Sequence, residues 1–425
     1  MEATGRQGPR DCASPAEASG QDDRKPAARV EPPGATGRRA PFKLATTGRR
    51  RYSVNGTHRS AEDRRQGRLA ALLTTPGSGR DAADELAFPF AEAPPTGELR
   101  EVAPGILWVR IPLPFRLNHV NIYLIEDGDG WAVLDTGIAN TPTRQVWEAL
   151  VSGPLAGRRL TRLIVTHFHP DHIGLAGWLC DRFSMPLLTS QTSYLGCLNI
   201  SLSPGAMEAQ HYRDFYLRHG MDGNTADTVS THGHGYLLMV TQLPPTFRRL
   251  VAGDELTIGG RRFEVLTGDG HAPEQVMLYL RDENVFLAAD QVLAKITPNV
   301  SVWAVEPDGD PLGLYLRSLR AIAARIPSDA LVLPGHQLPF FGLHRRCAQL
   351  AEHHESRCTL IAAACAEGPK SVAELVPVIF HRPLDPHQMS FAFSEVHAHV
   401  NYMLGRGELA WDDPHAELMR VVLAR

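Results

Sequence analysis

Between positions 163 and 174 the chain reads Leu-Ile-Val-Thr-His-Phe-His-Pro-Asp-His-Ile-Gly, an apolar run that delivers three histidines and an aspartate within six positions. In extended backbone, residues two apart point to the same side, so His167 and His169 can chelate one ion. Pro170 forces a turn, and Asp171 and His172, opening the next helix, then face the same cavity and can serve a second ion beside the first. Imidazole mixed with carboxylate suits borderline divalent metals such as Zn²⁺. A His-rich surface turn is the bland alternative, and four such side chains directly after a buried strand argue against it. Four shorter motifs also close apolar runs: Asp135-Thr136-Gly137, Gly270-His271, Asp290 after 285–289, and Gly335-His336 after 331–333.

Bringing these residues together takes strands that end at one place. Short β-rich runs stand at 106–111, 120–125, 131–134 and 163–166, with Asp127-Gly128-Asp129-Gly130 as a hairpin signal. Others follow at 255–258, 262–266, 276–280 and 285–288, joined by Gly259-Gly260 and by Asp282-Glu283-Asn284, which implies antiparallel pairing. Helical spacing covers 141–150, with Asn140 or Thr141 as cap, and 171–183. Sheets covered by helices are therefore expected. Residues 186–248 read as helix and loop, with helices at 207–217 and 235–243, and look inserted. After Pro339 come helices at 345–364, 371–379 and 391–404, then Gly405-Arg406-Gly407 and an extended 408–411, a winged-helix pattern.

The 425 residues are 43% apolar and 21% charged, enough for a sizeable core. Residues 1–80 carry 16 Lys and Arg against 8 Asp and Glu, and the remainder 27 against 39. Residues 1–95, rich in Pro, Gly, Ser, Ala and Arg, read as a disordered basic tail. The acidic body disfavours nucleic acid as an obligatory partner. The cysteines (12, 180, 197, 347, 358 and 365) form no CxxC pair, so a reducing, cytoplasmic setting is expected, with no membrane partner.

Over about residues 100–340 the motifs resemble, in type and order, those of the metallo-β-lactamase superfamily, beginning with HxHxDH at 167–172. The resemblance implies an α+β fold, a four-layer αββα sandwich. The catalytic domain would span 96–340, with 186–248 as a helical insert or lid, and 341–425 would form a small C-terminal helical, winged-helix-like region. It implies that His167, His169 and His271 bind one metal and Asp171, His172 and His336 a second, with Asp290 bridging. Asp135 would hold ligands or the bridging water from outside. Two divalent ions, zinc by resemblance, lower the pKa of a shared water from about 15.7 to about 7. Asp171 would orient that hydroxide and relay its proton. The implied function is cleavage of an ester, thioester or lactone in a small-molecule substrate. A metal-dependent endoribonuclease or phosphodiesterase, and a mononuclear iron persulfide dioxygenase, are the alternatives on this fold.

Two departures stand out: Gln275 replaces the second histidine of the usual Gly-His-x-x-Gly-His, and 99 positions separate His172 from His271. Arg116, Asn118 and His119 could border the cavity, and Trp303 could face substrate or core. Met207, Tyr212 and Tyr216 read as lid packing, with Phe215 and Leu217 completing an apolar wall. His344, His353, His354, His397 and His399 diverge on their helices and read as structural or surface residues.

Overall fold

The computed structural model describes residues 86–203, 210–230 and 233–425. Strands β1 (Leu99–Ala103), β2 (Ile106–Pro112), β3 (His119–Asp127) and β4 (Gly130–Leu134) form an antiparallel meander. To it β5 (Arg159–Ile164), β6 (Leu187–Thr189) and β7 (Arg248–Arg249) add in parallel. A second sheet has five strands, each paired with its neighbours in sequence. Here β8 (Glu255–Ile258), β9 (Arg261–Gly268), β10 (Gln275–Leu280) and β11 (Val285–Ala289) are antiparallel, and β12 (Leu331–Pro334) lies parallel to β11.

The pleat explains the layers. On β10, Val276, Leu278 and Leu280 point into the core between the sheets, while Met277 and Tyr279 point to helices outside. On β3, Tyr123 and Ile125 face inward and Val120, Ile122 and Leu124 outward. Both faces are covered, which is why these runs read as continuously apolar. Outside the first sheet lie α1 (Thr141–Ser152), α2 (Pro170–Ile173), α3 (Ala176–Phe183) and α4 (Gln191–Leu202). Asn140 caps α1 as expected, its Oδ1 accepting from Thr143 N at 2.8 Å. Outside the second sheet lie α8 (Pro311–Arg325), α9 (Leu343–Ala366), α10 (Val372–Ile379) and α11 (Pro386–Gly405). Between α4 and β7 come α5 (Gln210–Arg218), α6 (Gly223–Ser230) and α7 (Gly233–Leu237). After α11, β13 (Leu409–Trp411) and β14 (Val421–Leu423) pair antiparallel, so three helices and a two-stranded ladder close the chain. The αββα sandwich is present, and each large apolar side chain in it contributes about 1.5–3 kcal/mol on burial.

Several boundaries differ from expectation. The helix expected over 171–183 breaks after α2, because the Gly174 carbonyl accepts from both Thr241 N (2.7 Å) and Thr241 Oγ1 (2.9 Å) of a chain crossing over it. That crossing chain is the second half of the expected helix 235–243, of which only α7 is helical. Residues 186–248 begin and end as sheet, in β6 and β7. Of the basic tail, 1–85 lie outside the described residues, as does Met207. Residues 86–95 are not tail: Ala87 pairs with Phe341 through bonds of 3.2 and 2.8 Å, and Phe88 and Phe90 pack on the cores. Among the described residues no helix is long and apolar enough to cross a membrane.

Candidate metal centre

The strand ends do the positioning. Asp135 follows β4, Thr166 and His167 follow β5, His271 follows β9, Asp290 follows β11 and His336 follows β12. The two sheets are tied together at this edge. Val276 N donates to Thr166 O (2.8 Å), Asn121 N to Gly335 O (2.7 Å), and Tyr123 Oη to Pro334 O (2.8 Å). Close approach matters at Gly335, where a β-carbon would collide with Asp290 Oδ1. Asp135, Glu274, Ala289 and Gln337, beside the motif residues, all have φ between 47° and 70°. Such left-handed backbone costs a non-glycine residue about 1–2 kcal/mol, and it persists where surrounding contacts dictate it.

Two triads of side chains converge: His167, His169 and His271, and Asp171, His172 and His336, with ligand atoms within 4.8 Å of one another in each. Asp290 Oδ2 stands between them, 3.5 Å from His271 Nε2, 3.4 Å from His172 Nε2 and 3.1 Å from His336 Nε2. The rings are aimed by the partners of their other nitrogens. His271 Nδ1 donates to Asn299 O (2.8 Å), and His336 Nδ1 donates to His119 O (2.7 Å). His172 Nδ1 donates to Asp135 Oδ2 (2.8 Å). Thr166 Oγ1 spends its proton on Asp135 Oδ2 (2.9 Å), so His167 Nδ1 donates to that hydroxyl (2.9 Å). Four Nε2 atoms are thereby left facing inward, joined by His169 Nδ1 at 3.0 Å from His167 Nε2. His172 Nε2, His271 Nε2 and Asp290 Oδ1 are buried without a hydrogen-bond partner. Buried polar atoms of native proteins are almost always satisfied, and convergent lone pairs of this kind fit divalent cations.

Electrostatics agree. Burial works against charge on Asp290, yet His336 and His172 hold its carboxyl well below the usual carboxylate range. Burial works likewise against Asp171, and His172 and His336 again hold it low. Burial lowers His336, but Asp290 and Asp171 raise it to about 10. On the other side, burial and then the neighbouring imidazoles push His167 far down, and burial with His271 takes His169 to about 3. A neutral imidazole group beside a carboxylate-rich group is a donor set that attracts cations.

The structure brings together all seven expected metal-ligating residues. Asp135 stands outside the ligand group and positions it: Oδ1 accepts from Thr166 N (2.8 Å) and Oδ2 from Thr166 Oγ1 and His172. His119 lies behind His336, its Nε2 accepting from Gln337 N (2.8 Å) and its Nδ1 beside Asn118 Oδ1 and Arg110. Burial, then the Arg110 charge, lowers it to about 3. Arg116 is exposed and Trp303 partly so. Tyr212, Phe215 and Tyr216 are not an open wall: they are buried, and Phe215 stacks on His397 with ring centroids 5.2 Å apart. The insert reaches the site through α4 and α7 instead. Glu274 Oε2 accepts from Thr192 N (3.0 Å) and Oγ1 (2.7 Å), and Tyr236 Oη donates to Phe168 O (2.6 Å). Gln275 is fully buried and donates to Gln291 Oε1 (3.1 Å), next to Asp290. Sequence reasoning missed Asn121, Thr166 and Asn299. Asn121 alone left a signal, as the one amide inside the apolar run 120–125.

A sequence profile described as “Metallo-beta-lactamase superfamily” matches residues 116–336, just over half of the chain. The chain belongs to the metallo-beta-lactamase superfamily. A second profile of that superfamily, “Metallo-beta-lactamase-like, C-terminal domain”, matches 358–422. Among solved structures, the chain is similar to a beta-lactamase domain protein from Burkholderia ambifaria. The two are 38% identical with TM-score 0.74, covering 80% of this chain and 98% of that one. A metallo-beta-lactamase family protein from Thermus thermophilus follows at 28% identity and TM-score 0.65, covering 76% and 100%. Among curated sequences, “Probable metallo-hydrolase YqjP” of Bacillus subtilis is 24% identical over 292 residues, 66% of this chain and 87% of the relative.

Proposed function

We propose that this superfamily member is a metallo-hydrolase that holds two divalent ions, zinc by its donor set, and cleaves an ester, thioester or lactone. The reading is carried by the convergence of five imidazoles and two carboxylates, with the outer nitrogens of His167, His172, His271 and His336 engaged and His172 Nε2, His271 Nε2 and Asp290 Oδ1 left without a hydrogen-bond partner. His167, His169 and His271 would hold one ion, Asp171, His172 and His336 the other, and Asp290 both. When bound, such ions supply an acidified water and a Lewis acid for the carbonyl oxygen. The chain does the rest. Asp135, Thr166, His119 and Asn299 fix ring orientation. The Asp171 side chain, 20% exposed, stands at the accessible rim, where it can orient a nucleophile and pass a proton to the leaving group.

Acyl substrates are favoured over phosphodiesters by charge: α11 carries no Lys or Arg, and acidic residues outnumber basic ones beyond residue 80. The test is a panel of small esters, thioesters, lactones and single-stranded RNA, assayed on protein purified without added metal. Turnover of an acyl substrate that is lost to chelator and regained with Zn²⁺ supports the reading. RNA as the best substrate replaces it with the nuclease, and oxygen consumption with a persulfide replaces it with the dioxygenase.

A further inference from the structure

The loop leaving β11 at the metal centre ends at the start of α8, and it is anchored on the C-terminal helix. Its Asn299 carbonyl accepts from His271 Nδ1 at 2.8 Å, and the Asn299 amide donates to Ser301 Oγ at 2.6 Å. Val302 N then donates to the α11 carbonyl of Ser394 at 3.2 Å. Two turns further along α11, the Asn401 amide donates to both Pro307 O (2.8 Å) and Gly309 O (2.9 Å). The next residue, Asp310, caps α8 by accepting from Gly313 N (2.8 Å). Gly270, immediately before His271, lies so close to Pro311 O and Tyr315 that a β-carbon would collide with them. Two routes therefore lead from Asn401 to His271, one through Asn299 and one through the head of α8. Asparagine is a weak helix former, and here both of its amide hydrogens leave the 20-residue helix for the loop.

We propose that Asn401 is a positioning residue for the metal centre: by holding the carbonyls of Pro307 and Gly309 it fixes the loop that aims His271. The C-terminal helix thereby sets the cation affinity of the His167, His169 and His271 group. The inference rests on the metal reading above. Removing a partner that orients a ligand typically costs 10–100-fold in metal affinity. Asn401 acts one link further out, so about a tenfold loss is expected, confined to that group.

The experiment titrates Co²⁺ into the full chain against a chromophoric chelator, following the visible cobalt bands, for wild type, Asn401→Ala and Asn401→Asp. The expected result is affinity weakened about tenfold for one of the two ions in both Asn401 variants. The second ion should bind as in wild type, and the melting temperature of the metal-free protein should hardly move. Wild-type protein that binds no Co²⁺ overturns the metal reading and this inference with it. Normal wild-type binding with unchanged Asn401 variants overturns the inference alone. Equal weakening of both ions makes Asn401 a general structural residue and also overturns it. Should Asn401→Ala fail to fold, Asn401→Asp, which keeps the side-chain shape but loses both donated hydrogens, carries the test, and unchanged binding of both ions there overturns the proposal.

Discussion

Among the described residues, buried histidines gather at the strand-end edge and along α11, and only the first group has the donor set of a metal centre. At the strand-end edge, five imidazoles turn a nitrogen inward toward Asp171 and Asp290. Between α5, α9 and α11, His219, His354, His397 and His399 are buried just as deeply. There His354 Nδ1 and His399 Nε2 face each other at 3.1 Å, His399 Nδ1 donates to Glu395 O, and the rings of His219 and His397 lie 4.3 Å apart. The nearby Glu395 carboxylate is taken by Arg357. The carboxylates of the first cluster raise His172 and His336 against the burial that opposes them. In the second, burial dominates and takes His219 and His399 to about 4 and His354 to about 2. Histidine density therefore does not make a cation site. Imidazoles that converge on two carboxylates, with their outer nitrogens engaged, do.

The sharpest way to break this contrast is to remove one histidine from each cluster. His271→Ala and Asp290→Ala should lose metal and reduce turnover to background, whereas His397→Ala should keep its metal content. Smaller, and specific to outer partners, is Asp135→Asn: it perturbs both Thr166 and His172, and metal affinity should fall about 10–100-fold with the fold intact. A chelator titration checks it.

The second cluster should reveal itself through pH. Its histidines have folded-state pKa values below the unfolded value of about 6.5, so the unfolded chain binds more protons in the acid range. Their contribution to stability is then fully present above pH 6.5 and falls as pH drops from there toward about 4, where His219 and His399 themselves protonate. Replacing His354 by Leu should flatten that fall, measured as melting temperature against pH on metal-free protein. The smallest effect belongs to Gln275→Leu. It leaves the buried Gln291 Oε1 without its donor, for a loss of about 1–3 kcal/mol in denaturant unfolding and no change in metal content.

What the chain reveals before folding follows the same division. The cluster at 167–172 and most strands were legible because two-residue and alternating spacing carries their geometry, Asn140 was legible as a cap, and His271, Asp290 and His336 entered through the family resemblance. Asn299 was not, because its role is played by a backbone carbonyl that any residue possesses. The partners of Asp135 were not legible, because a strand-ending aspartate looks the same whether it meets a metal or the Nδ1 of a histidine. The apolar insert residues Tyr212 and Phe215 were misplaced for a related reason: apolar spacing states that a face is buried, never against what. Here the partner includes α11, nearly two hundred positions away.

The most direct measurement is metal content by elemental analysis of wild type, His271→Ala and His397→Ala, each purified without added metal. The account predicts about two divalent ions, chiefly zinc, in wild type and in His397→Ala, and a clear loss in His271→Ala. Metal-free wild type, a single iron, or equal loss from both variants would contradict it.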